Sequence, residues 1–186
     1  MPQDMDALMH YAKSFTGLTK EKEALLMAVG PQIIPELNAV TQKFYMHLST
    51  IEQTKPFIEG RLETLQQTHE KWLAGLFSRH YDEEFTRFMH HVGDVHVKVK
   101  LPVEFMSGGM TLINNELTPL IFRLFAEDQA KCIAVLAAVN SATGFALLIM
   151  QQSYQEGSLA EELERFLKIS GMSKVLFSNL AEAYSE

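Results

Sequence analysis

The sequence predicts an all-α fold, and three observations carry that prediction. Apolar residues recur at spacings of three and four along most of the chain. No run alternates with period two beyond a few residues, and no Asn-Gly or Asp-Gly hairpin turn occurs. Prolines and glycines fall between the periodic stretches and divide the chain into about seven or eight helical segments.

The first helix is expected over 4–15, ended by Thr16-Gly17. Thr19 is a natural N-cap for a second through Val29, with Glu21 and Glu23 in the turn where the helix dipole favours acids. Gly30-Pro31 and Pro35 break the pattern before a third helix to about Leu48. Pro56 precedes a long amphipathic stretch, 57–77, and a further helix over 82–99 ends near Leu101-Pro102. Residues 104–125 follow, with a kink expected at Pro119, and then 128–154. Gly157-Ser158 reads as a separator between a domain of residues 1–156 and a short helical C-terminal extension, 157–186. Leu159, Leu163, Phe166, Ile169, Leu176 and Leu180 make that extension amphipathic.

Composition narrows the class. The 186 residues, 47% hydrophobic and 21% charged, suit one folded domain and exclude wholesale disorder. Sixteen Lys and Arg against 23 Asp and Glu give −7, which argues against a general binder of nucleic acid or anionic membrane. The single cysteine, Cys132, excludes an intrachain disulfide framework and a Cys-rich zinc site. Met1-Pro2-Gln3-Asp4 lacks the basic and apolar stretches of a secretion signal, so a cytoplasmic location is expected. Residues 132–150 carry no formal charge and are long enough to span a membrane. Asn140, Ser141, Thr143 and Gly144 at their centre favour a buried helix in close contact with another, and no membrane span is expected.

Seven His, 12 Phe and 10 Met stand out. On a wheel of about 100° per residue measured from Phe85, Phe88, Met89, Val92, Val95 and Val99 lie between about 280° and 40°, with His96 at about 20°. His90 and His91 point elsewhere and diverge, so a surface metal site there is not expected. Measured from Leu65, the stripe of Leu62, Trp72, Leu73 and Leu76 includes His69 at about 40°. Thr68 sits at its edge. Two consecutive helices thus each turn a histidine inward. Each is either a core histidine bonded to a carbonyl or a ligand in an apolar slot. Without acids or cysteines on those faces zinc is poorly served, and a haem iron fits the slot better.

The segment Val92-Gly93-Asp94-Val95-His96-Val97-Lys98-Val99-Lys100-Leu101-Pro102 resembles the proximal-histidine signature of globin-coupled sensors and protoglobins. That signature runs roughly I-G-x-x-H-x-x-I-G-L-P and continues into an aromatic pair. Phe44-Tyr45-x-x-Leu48 is similar to the family's distal-tyrosine motif, and Leu65-Gln66-Gln67-Thr68 with Trp72-Leu73 to its distal helix. The resemblance covers about residues 15–155. It implies a globin fold around haem b, with His96 as proximal iron ligand and Tyr45 as distal hydrogen-bond donor. Leu65 and Thr68 would line the distal side, and Phe44, Trp72, Met89, Val92, Val99, Leu101 and Phe105 the rest of the cofactor site. On a wheel measured from Val40, Tyr45 lies off the apolar stripe, so its role rests on the resemblance alone. The chain departs from the pattern at Lys100, where glycine is common, and at Phe105-Met106, where the family has Trp-Tyr. His69 is a further departure. It either ligates iron as a sixth ligand when no gas is present or lies beside Thr68 without touching it.

The function implied is binding and sensing of oxygen or another diatomic gas, CO or NO, without catalysis. The alternatives are a haem enzyme served by a separate reductase, such as a nitric-oxide dioxygenase or peroxidase, and a haem-free signalling module. The family also implies a homodimer through the last two globin helices, with Asn140, Ser141 and Gly144 allowing close approach. The extension is too short for an output domain, so it either caps the fold or passes the signal to a separate partner.

Overall fold

The computed structural model describes residues 4–183. All its regular structure within those residues is helical: α1 (Met5–Thr16), α2 (Lys20–Ile33), α3 (Leu37–Ser49), α4 (Lys55–Ile58), α5 (Leu62–Ser78), α6 (Glu83–Lys98), α7 (Val103–Leu124), α8 (Gln129–Ser170) and α9 (Lys174–Ala183), with a 3-10 turn over Ile34–Glu36. The expected end of the tail helix near Tyr184 lies outside the described residues.

Side-chain caps set four of the helix starts. Asp4 accepts from the amides of Asp6 and Ala7, Thr19 from Lys22, Asp82 from Phe85 and Asp128 from Lys131. Such a cap contributes about 1 kcal/mol by satisfying an amide that the first turn leaves without a partner. Two expected interruptions are absent. α2 continues through Gly30-Pro31, and the chain turns at Pro35 instead. Gly30 serves packing: a Cβ there would stand 2.4 Å from the Phe77 carbonyl of α5. α8 likewise runs through Gly157-Ser158 without a break and stops only at Gly171. One glycine costs about 1 kcal/mol of helix propensity, and the strong formers Leu159 to Glu164 outweigh it.

α8 is the central helix, packed on α1, α2, α6 and α7, while α3 bridges α5 and α7. α8 is long and apolar enough to cross a membrane, yet 56% of its most apolar window is buried in the fold. Ser141 and Gly144 do not wait for a second subunit. The Ser141 hydroxyl accepts from Lys22 Nζ at 2.8 Å, and Gly144 packs on Thr16, so both seat α8 against the α1–α2 corner. Asn140 is exposed.

α5 and α6 are consecutive, but each rests mainly on other helices: α5 on α2 and α3, α6 on α8 and α1. Gly93 lets α6 sit directly on α8, because a Cβ there would come within 2.3 Å of the Met150 carbonyl. α5 and α6 therefore each keep a face turned away from their main packing partners.

Candidate functional site

The buried line of α6 is Phe85, Met89, Gly93 and Val97, which faces α8. Val95 and Val99, expected inside the apolar arc, are 40% and 38% exposed. The arc merges two surfaces. One is the α8 contact. The other, Phe88, Val92 and His96 at half-buried positions, flanks it. The Nδ1 atom of His96 is buried and has no hydrogen-bond partner among the described residues. Burial lowers the His96 pKa, because the imidazolium would lose its hydration there.

A cap holds the backbone of His96. Its carbonyl accepts the Leu101 amide at 3.0 Å, and that of Val97 accepts Lys100 at 2.8 Å, the paired bonds of a Schellman turn. Lys100 is the left-handed residue of this turn, with φ of 55°. The turn therefore explains why glycine suits that position, and Lys100 meets the geometry at some cost. Leu101 is half-buried and Phe105 stands edge-on to Phe57 with centroids 5.8 Å apart.

On α5, His69 lies in an aromatic cluster. Its ring stacks with Phe44 at 4.7 Å and Trp72 at 5.6 Å, and meets Tyr45 edge-on at 5.7 Å. Its Nδ1 is 3.2 Å from the hydroxyl of Thr41, and its buried Nε2 has no partner among the described residues. Burial lowers the pKa of His69 to about 4, so the ring is neutral at physiological pH. Tyr45 is 7% exposed, inside the fold despite its place on the wheel. The buried face of α3 is Leu37, Val40, Thr41, Phe44 and Tyr45, centred past Val40 because α5 and α7 both press on it. The Tyr45 hydroxyl donates to the Leu65 carbonyl at 3.3 Å, and burial pushes its pKa up to about 12. Trp72 Nε1 donates to Met89 Sδ at 3.1 Å and joins α5 to α6. Thr68 does not join the cluster: it is exposed, and its hydroxyl donates to the Thr64 carbonyl at 2.9 Å.

Phe44, Tyr45, Leu65, His69 and Trp72 thus form one group, with Met89 attached through Trp72. His96, Val92 and Leu101 belong to the α6 side. Sequence reasoning missed Thr41. The signal was present, since Thr41 lies one turn before Tyr45 on the same face of α3.

A family model described as Protoglobin matches residues 5–159. The chain belongs to the protoglobin family. Among solved structures, this protoglobin is similar to the globin domain of a Geobacter sulfurreducens globin-coupled sensor, at 26% identity and a TM-score of 0.73, covering 78% of this chain and 97% of that one. The ferric globin domain of E. coli DosC aligns at 20% identity and a TM-score of 0.64, over 78% of this chain and 99% of that one, and shows the shared fold. Among curated proteins, the heme-based aerotactic transducer HemAT of Halobacterium salinarum is 28% identical over 109 residues, 57% of this chain and 22% of that protein. The diguanylate cyclase DosC of Escherichia coli K12 is 21% identical over 159 residues, 82% of this chain. The protoglobin spans about a third of DosC, 34%. Membership supports haem as the cofactor and haem-based gas sensing as the general class of activity. The residues present fit a haem. His69 on α5 and His96 on α6 each keep a buried ring nitrogen that has no hydrogen-bond partner among the described residues, and burial disfavours the charged form of both rings.

Proposed function

We propose that this protoglobin binds haem b between α5 and α6 and reports a diatomic gas, with His96 as the iron ligand. The observation that carries the reading is the unpartnered, buried Nδ1 of His96 in an apolar setting, capped at its backbone by Leu101. A buried polar atom without a partner costs about 1–3 kcal/mol, a cost that a fold keeps where a ligand uses the ring. The haem supplies an iron that takes a protein ligand on one face and a gas on the other. With one buried cysteine, Cys132, the chain offers no paired thiols for covalent attachment, which supports haem b.

Tyr45, Phe44, Leu65 and Trp72 supply the distal side in this reading. The raised pKa of Tyr45 keeps its phenol protonated, and its one proton, given to the Leu65 carbonyl at 3.3 Å, would turn from that long bond to the gas. His69 is the second imidazole. Ligating iron needs a bare Nε2; donating to a gas needs a protonated one.

No catalytic output is assigned to residues 4–183, and the cyclase named for DosC is a property of that longer protein. The signal path proposed runs from α6 to α8. Asp94 accepts from Ser153 at 2.6 Å, His90 lies 3.4 Å from Glu156, and Val97 packs on Gly157. All three contacts fall where α8 leaves the globin body for the extension. There Phe166 and Phe177 pair at 6.3 Å, while Leu159, Ile169, Val175 and Leu176 are exposed, as a segment awaiting a partner would be. Phe122 and Ile133, 55% and 59% exposed on α7 and α8, support a homodimer through those helices. A cytoplasmic location goes with this role.

The test is spectroscopic. Reconstituted ferrous protein should shift its Soret band on adding CO and consume NO only stoichiometrically. Sustained NO consumption with an electron donor would replace the sensor reading by the enzyme one.

A further inference from the structure

Thr41 is fully buried, and its hydroxyl has an unusual partner for a helical threonine. Thr68, Thr86 and Thr118 each donate to the carbonyl four residues back, at 2.9, 2.9 and 2.7 Å. The Thr41 hydroxyl reaches across to α5, and among the described residues its one polar contact is His69 Nδ1 at 3.2 Å.

A donor count assigns the proton. If Nδ1–H donated to Thr41, the hydroxyl proton would be buried with nowhere to go, and Nε2 would be an unmet acceptor as well. If Thr41 donates to Nδ1, its proton is satisfied and the imidazole proton sits on Nε2, leaving one unmet donor. The second arrangement leaves fewer buried groups without partners. It also turns the unpartnered Nε2 from a lone pair into an N–H. Phe44 and Trp72 stack on the ring and hold its plane.

We propose that Thr41 is a positioning residue that fixes His69 as its Nε2–H tautomer, making His69 a second hydrogen-bond donor, beside Tyr45, to the distal gas ligand. The donor role rests on the haem reading above; the tautomer does not. A histidine held in this form is withheld from iron until the Thr41 hydroxyl reverses.

The experiment uses the full chain and the variants Thr41→Val, Thr41→Ser and His69→Leu. Long-range proton–nitrogen NMR of the side chains, assigned by the loss of signals in His69→Leu, reads the tautomer with or without haem. The wild type and Thr41→Ser should show a protonated Nε2 and a hydrogen-bonded, unprotonated Nδ1, and Thr41→Val should lose the Nδ1 hydrogen-bond shift. In the haem-loaded chain, Thr41→Val should release oxygen about tenfold faster, as expected for loss of one aligned hydrogen bond, and raise the C–O stretch of the CO complex toward that of His69→Leu. Thr41→Ser should restore both. A wild type protonated at Nδ1 would overturn the proposal. So would a six-coordinate ferrous spectrum without gas that His69→Leu abolishes, or a Thr41→Val variant unchanged in nitrogen shifts and C–O stretch. A chain that binds no haem fails the functional reading instead, and the nitrogen shifts still decide the tautomer.

Discussion

The carbonyl of His96 accepts the amide of Leu101 at 3.0 Å across a turn whose left-handed residue is Lys100. The candidate iron ligand is thus the third residue from the end of its helix, and the cap fixes its backbone.

Lys100 bears the strain of that cap. Lys100→Gly should stabilise the chain by about 1 kcal/mol, because a left-handed conformation costs a side chain about that much and costs glycine little. Lys100→Val should destabilise it, since a β-branched residue fits φ of 55° worse. Denaturant unfolding of the three proteins checks the order. Equal stabilities would mean that the turn is not formed.

Gly93 and Gly108 should answer alanine oppositely. A Cβ at Gly93 meets the Met150 carbonyl and Ser153, so Gly93→Ala should cost about 2 kcal/mol or more by forcing α6 off α8. Nothing lies within 4 Å of a Cβ at Gly108 in α7, and Gly108→Ala should stabilise by about 0.5–1 kcal/mol through helix propensity. Thermal unfolding of both variants tests the contrast.

Tyr45 should remain a phenol well into alkali. Its pKa is raised to about 12 in the folded chain against 10.0 for the ordinary group. Between those values the native state keeps a proton that the unfolded chain has released. Stability carried by this group is therefore intact below pH 10 and falls as pH rises toward 12, by up to about 3 kcal/mol. Comparing phenolate absorbance of wild type and Tyr45→Phe across this range isolates the group. A Tyr45 midpoint near 10 would contradict its burial.

The helical order was legible because apolar spacing and caps such as Thr19 are local signals. Two expected breaks are absent for one reason. Gly30 and Gly157 look like punctuation in sequence, but their missing Cβ atoms serve contacts with Phe77 and Val97, which only the packed structure reveals. The wheels found His69 and His96 yet mis-centred α6, because Val95 and Val99 add apolar weight without facing α8. Tyr45 came from resemblance, and packing from two sides of α3 is what buries it. Thr41 shares the face of Tyr45 one turn earlier, but its role shows only through its partner on α5.

The haem reading itself turns on His96. Haem titrated into the wild-type chain should give one equivalent of a Soret-absorbing complex with an imidazole-ligated ferrous spectrum. His96→Gly should lose that spectrum and regain it on addition of free imidazole. A His96→Gly variant that keeps the wild-type spectrum, or a folded wild type with no Soret band, would contradict the assignment of His96 as the iron ligand.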